Sequence, residues 1–87
     1  MTELVADLSL RTVEARLARL LLEEAEDGVL DRHRWATQAE IAARVGTVTD
    51  VVNRALRNFV SDGLIYMERR KITLLDTQAL RDVAKAD

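Results

Sequence analysis

The chain of 87 residues contains no cysteine. Disulfides and thiolate metal sites are therefore excluded, and the composition suits a reducing cytoplasm, the expected location. There is a single histidine, His33. A metal site or a general base would need partners for it that the sequence does not place, so it is expected to be a loop residue. No apolar run approaches the roughly 18 residues of a membrane span, and no membrane partner is expected. The first residues, MTELVADLSLR, are acidic and lack the basic start of a signal peptide. No Ser/His/Asp set, Gly-rich phosphate loop or metal-ligand spacing is present. Adjacent acids such as Glu23 and Glu24 have no partner that would make them catalytic. Catalysis is not expected, and neither is a metal. What the chain does have is apolar content, 48% of its residues. That is ample for one small domain, which buries about 60% of its unfolded surface.

Net charge is −2, but it is unevenly spread. Residues 1–31 hold eight acids and three bases, a local −5. Residues 44–73 hold six bases (Arg44, Arg54, Arg57, Arg69, Arg70, Lys71) and three acids, a local +3. A basic face matters more for nucleic acid than the total, although charge clusters are commonly just solvated surface.

Periodicity and capping signals divide the chain. Leu10, Val13, Leu17, Leu20 and Leu21 form one apolar stripe, which predicts a first helix from about Val13 to Glu26, with Thr12 as its cap and Gly28 beyond its end. Asp27 to Arg34 reads as a polar connection, and Trp35-Ala36 as a short strand. Thr37 and Glu40 form a T-x-x-E capping box for a second helix that buries Ile41, Ala42 and Val45 and stops at Gly46. A third helix is predicted from about Thr49 to Ser61. At about 100° per residue, Val48, Val52, Ala55, Leu56, Phe59 and Val60 fall in one arc. Asp50, Arg54, Arg57 and Ser61 lie opposite, with Asn53 at the edge. Gly63 ends this helix. Leu64–Met67 and Ile72–Leu75 read as a hairpin whose tip is Glu68-Arg69-Arg70-Lys71. Asp76 caps a last helix with Leu80 and Val83 facing inward. There is no internal repeat and no linker.

A short capped helix, a Gly turn and a longer amphipathic helix are the layout of a helix-turn-helix, whose second helix enters the DNA major groove. The basic hairpin at 66–75 makes it winged. The predicted fold class is therefore mainly α with a small β-hairpin wing, a winged helix-turn-helix.

At these residues the chain resembles the C-terminal DNA-binding domain of the Crp/Fnr regulators, the cyclic-AMP receptor protein family. VEARLARLLLEEAE, TQAEIAARVG, the spacing from Gly46 through Arg54 to Gly63-Leu64-Ile65, and ITLLDTQALRDVA carry the likeness, which covers nearly the whole chain. The order and spacing are more specific than any one piece. The resemblance implies a sequence-specific transcription-factor output domain whose partner is double-stranded DNA, expected to be a palindromic operator. Such regulators carry an N-terminal cyclic-nucleotide-binding or sensor β-barrel and a long dimerisation helix. Leu4–Leu10 resembles the end of that helix and the hinge, which divides the chain into 1–11 and a DNA-binding domain at 12–87. No cofactor is then expected on this chain; an effector such as a cyclic nucleotide would bind the N-terminal domain. The full-length protein would be a homodimer and the isolated domain mainly a monomer, with Met1 an artificial start. A natural single-domain protein is the alternative. The loop Asp27–Arg34 lies where some members touch RNA polymerase, a further candidate partner.

The resemblance also implies site residues. Base reading falls to Thr49, Asp50 and Arg54, with Asn53 at a neighbouring variable position. An Arg54 guanidinium can bond O6 and N7 of guanine together. Asp50 could accept from cytosine N4 or orient Arg54 one turn away, and an i,i+4 pair between the two is the bland alternative. Phosphate contacts fall to Thr37, Gln38, Arg57, Arg69, Arg70 and Lys71; Thr37 can equally be a simple cap. The chain departs from the family pattern in places. Asp50 stands where Glu is usual. Thr49 cannot pair with guanine as an Arg there would. Val48 replaces a Ser or Thr that caps the helix and touches phosphate, so Thr47 or Thr49 would have to supply the cap. Arg69 replaces a Gly at the wing tip. The rival function is a winged-helix protein-interaction module that keeps the fold without binding DNA.

Overall fold

The computed structural model describes residues 10–31 and 37–85. They form four helices and one small sheet: α1 (Leu10–Glu24), β1 (Val29–Asp31), α2 (Gln38–Val45), α3 (Thr49–Ser61), β2 (Ile65–Met67), β3 (Lys71–Leu74) and α4 (Thr77–Lys85). The expected Trp35-Ala36 strand and His33 lie outside the described residues.

α1 buries Val13, Ala15, Leu17, Ala18 and Leu21 completely, with Leu10 and Leu20 partly covered at the margin of the same core. Its bounds differ from the sequence reading. The helix already includes Leu10, so Thr12 is an interior residue rather than the cap, and it ends at Glu24 rather than Glu26. Packing of Leu10 against the core extends the helix past a local capping signal. Leu10 and Arg11, read from sequence as the end of a dimerisation helix and the hinge, are helical.

Residues 29–31 of the segment read as a polar connection form a strand. Glu26 and Val29 exchange two backbone hydrogen bonds, 2.8 and 3.1 Å, across Asp27 and Gly28, whose φ values are 56° and 79°. Two successive positive φ angles are what a tight primed turn requires, and an Asp-Gly pair supplies them at low cost. The turn launches β1, which pairs antiparallel with β3 through Val29↔Thr73, Leu30↔Ile72 and Asp31↔Lys71. Only Leu30 of β1 is buried. A three-residue strand with one apolar position carries no legible period, and its partner lies some forty positions downstream.

The helix-turn-helix follows its sequence signals closely. Glu40 N–H donates to Thr37 Oγ1 at 3.1 Å, with Thr37 in extended conformation ahead of α2. Gly46, at φ 87°, closes α2 in the left-handed region. Thr47 N–H then reaches back to the Ala42 carbonyl at 2.9 Å, the long return bond of a Schellman ending. α3 ends the same way at Gly63, with Leu64 N–H on the Phe59 carbonyl at 2.9 Å.

α3 buries Val52, Ala55, Leu56 and Phe59. Two members of the expected apolar arc do not join them: Val48 is 61% exposed and Val60 42%. Val48 has φ −111° and ψ 162°. It is extended, so helical phase does not apply to it. Val60 is helical but sits about 90° from the centre of the buried arc, and the core does not reach that far round.

β2 and β3 form the hairpin, in register Ile65↔Leu74, Tyr66↔Thr73 and Met67↔Ile72. Glu68 N–H donates to the Lys71 carbonyl at 2.8 Å, so Arg69-Arg70 is the tip. β3 is central, giving the order β1-β3-β2. Asp76 Oδ1 accepts from Ala79 N–H at 3.0 Å and starts α4, which inserts Leu80 into the core and packs Val83 at its edge. A single cluster runs through all four helices and the sheet, with no polar residue buried among the described residues. The fold is a winged helix-turn-helix, mainly α, whose wing belongs to a three-stranded sheet.

Candidate nucleic-acid interface

Three residues, Gly46-Thr47-Val48, join α2 to α3. The bend orients α3 so that one face closes on the core and the other is free. On the free face Thr49, Asp50, Arg54 and Arg57 are exposed. Asn53 is half-buried, and its side-chain oxygen is out of solvent with no hydrogen-bond partner. In this rotamer Asn53 cannot present that oxygen to a base. Asp50 and Arg54 form no ion pair with each other.

The start of α3 lacks the expected cap. Val48 makes no side-chain bond to the helix amides, and neither threonine substitutes for it. Thr47 Oγ1 is buried without a partner. The first-turn amides of Val51 and Val52 donate to the Val48 carbonyl, at 3.2 and 3.1 Å, which fixes the backbone there.

At the start of α2, Thr37 is exposed with its hydroxyl oxygen engaged by Glu40 N–H, and Gln38 is half-buried. The cap expected for Thr37 is therefore formed. At the wing tip Arg69, Arg70 and Lys71 are all exposed. The tip closes with Arg69 where the family pattern has Gly, without requiring a positive φ.

Most of the described arginines fall into two sets; Arg11 and Arg81, exposed on α1 and α4, belong to neither. Arg16 Nη1 donates to the Val45 carbonyl at 3.2 Å, and Arg19 Nη2 to the Ala84 carbonyl at 2.8 Å. These guanidinium groups satisfy carbonyls at the ends of α2 and α4, where helix dipoles favour cations. Arg44 lies 3.6 Å from Glu24. By contrast, the side chains of Arg54, Arg57, Arg69, Arg70 and Lys71 have no hydrogen-bond or ion-pair partner among the described residues. They are the bases of the +3 segment other than Arg44, and they occupy the open face of α3 and the wing tip.

Sequence reasoning missed Val48 as a surface residue. The available signal was its place one residue ahead of the helix, where a helical wheel no longer holds. It also missed the structural use of Arg16 and Arg19, which depends on helix ends 29 and 65 residues away.

No helix among the described residues is long and apolar enough to cross a membrane. Comparison with known proteins agrees with the geometry. Residues 15–83 match the family described as the Crp-like helix-turn-helix domain. A CRP-like cAMP-activated global transcriptional regulator of Mycobacterium tuberculosis is 35% identical over 82 residues, covering 87% of this chain and 37% of that protein. This chain thus spans little more than a third of the curated relative it matches. Among solved structures, a Crp/Fnr-family regulator from Thermus thermophilus is 33% identical with a TM-score of 0.72, over 95% of this chain and 44% of the other. A Crp/Fnr-family regulator from Eubacterium rectale is 30% identical with a TM-score of 0.75, over 97% of this chain and 38% of the other. These relatives are transcriptional regulators, and their likeness extends over the helix-turn-helix and the wing. On its sequence and its fold alike, the chain belongs to the Crp-like helix-turn-helix domain family.

Proposed function

We propose that this chain is the sequence-specific DNA-binding output domain of a Crp/Fnr-type transcriptional regulator. α3 enters the major groove and the wing at 66–75 lies on the sugar-phosphate backbone. The observation that carries the reading is the set of five cations, Arg54, Arg57, Arg69, Arg70 and Lys71, that stand without a protein partner among the described residues on the open face of α3 and the wing tip. Arg11, Arg81 and Lys85 are also exposed without a partner among the described residues, on α1 and α4; what sets the five apart is that they gather on α3 and the wing tip.

Within this reading Thr49, Asp50 and Arg54 face base edges, with Arg54 the strongest candidate for guanine. Asn53 contributes to base reading only if its amide turns outward. Arg57 and the wing tip contact phosphate, and Thr37 and Gln38 lie at the start of α2, where backbone amides favour an anion. The regulator works as a homodimer on a palindromic operator, because two recognition helices then read half-sites about 34 Å apart. The segment 1–11 would connect to the dimerising and effector-binding parts. The segment 27–34, whose Asp27 is exposed, is the candidate contact with RNA polymerase.

Titrating duplex binding against salt tests the reading. A log–log slope of about −0.9 per neutralised phosphate is expected on any duplex, with a further gain on one selected sequence. A protein-interaction winged helix would show neither.

A further inference from the structure

We propose that Val48 is a specificity-determining residue that reads a thymine through its 5-methyl group. The inference rests on the DNA-binding reading above and adds to it one base position that a polar side chain does not explain.

Val48 is the most exposed of the large apolar side chains among the described residues, at 61%. Isolated exposed apolar residues are ordinary, but this one holds a particular place. It stands immediately ahead of Thr49 and Asp50, the first exposed residues of α3. Its backbone is extended and held by two amides of the first turn, so the isopropyl group is presented from a fixed point. It supplies no cap hydrogen bond and has no polar atom with which to bond a phosphate. It is not recruited to the core either, although it falls in phase with Phe59 when counted along the helix. What remains is an apolar contact at the leading end of the element that enters the groove. In the major groove the apolar feature on a base edge is the C5-methyl of thymine, and an aliphatic side chain recognises it by excluding water from both.

The test removes that methyl alone. An operator is first selected from random duplexes with the 87-residue chain. Each thymine in a half-site is then replaced singly by deoxyuridine, which pairs identically. Burial of one methyl is worth about fourfold in affinity. Wild type should therefore lose about fourfold at one thymine in each half-site. Val48→Ala should bind the thymine and deoxyuridine duplexes equally at that position while keeping the wild-type salt slope and its other base preferences. Because Val48 is exposed, its melting curve should match wild type. Two outcomes overturn the inference alone, with salt-dependent, sequence-selective binding intact. One is indifference of wild type to every deoxyuridine substitution. The other is a Val48→Ala variant that keeps the same ratio, which would place the methyl against another residue. Absence of salt-dependent binding to any duplex overturns the functional reading and this inference with it.

Discussion

Two sets of arginines in this molecule have the same chemistry and opposite uses. On the side built from α1, α2 and α4, three guanidinium groups turn back on the protein: Arg16 and Arg19 bond the carbonyl ends of α2 and α4, and Arg44 sits beside Glu24, while Arg11 and Arg81 stay exposed without a partner among the described residues. On the side built from α3 and the wing, Arg54, Arg57, Arg69 and Arg70 are exposed with no partner among the described residues. The difference teaches that a count of bases says little about nucleic-acid binding. What matters is which cations the fold has already used. The inward set stabilises the packing that presents α3, and the outward set is available to a ligand.

Substitutions can break this division or sharpen it. The largest effect should come from Phe59→Ala, which removes the support of both sides at once. Phe59 heads the fully buried side chains in size and sits on the inner face of α3. Its truncation should cost about 3–5 kcal/mol of stability, out of a total on the order of 5–15 kcal/mol for a typical domain. Thermal melting reads this directly, and a shift of only a degree or two would contradict the packing described.

Neutralising Arg69, Arg70 and Lys71 together should weaken binding to every duplex alike and leave the melting curve in place. Each lost phosphate contact should flatten the log–log salt slope by roughly 0.9. An unchanged slope would mean that the wing tip faces away from DNA.

Arg54→Ala should act on sequence rather than on salt. It should cost about 1–3 kcal/mol at one guanine per half-site and relax selection there. Binding-site selection with both proteins is the measurement, and identical preferences would remove Arg54 from base reading.

The smallest effect belongs to the inward set. Arg16→Ala removes one part-buried hydrogen bond to a helix-end carbonyl and should lower stability by about 1 kcal/mol. Its salt slope should stay at the wild-type value. If Arg16→Ala altered the slope as the wing variant does, the division between the two sets would fail.

Much of the fold was legible because it is written locally. The Thr37 cap, the Gly46 and Gly63 endings and the Asp76 cap each depend on groups within a few residues, and each is formed. The bounds of α3 follow from an uninterrupted apolar period between two such signals. The candidate site was legible to the same depth, since the open face of α3 is the complement of its buried arc. The errors arose where long-range packing overrules a local sign. Thr12 looks like a cap, yet α1 continues through it because Leu10 has a core to join. Val48 looks like a core residue, yet its extended backbone takes it out of helical phase.

Sequence alone therefore determined where the helices begin and end around the turn, which face of α3 is apolar, and where the bases cluster. These depend on hydrogen bonds and side-chain periods spanning one or two turns. Tertiary structure alone decided that residues 29–31 form a strand, because their partner is β3, about forty residues away. It decided too that Arg16 and Arg19 are consumed by helix ends, whereas Arg54 and the wing tip are left open. Whether a charge is satisfied depends on what the folded chain brings within hydrogen-bonding reach, and short-range sequence signals do not encode that distance.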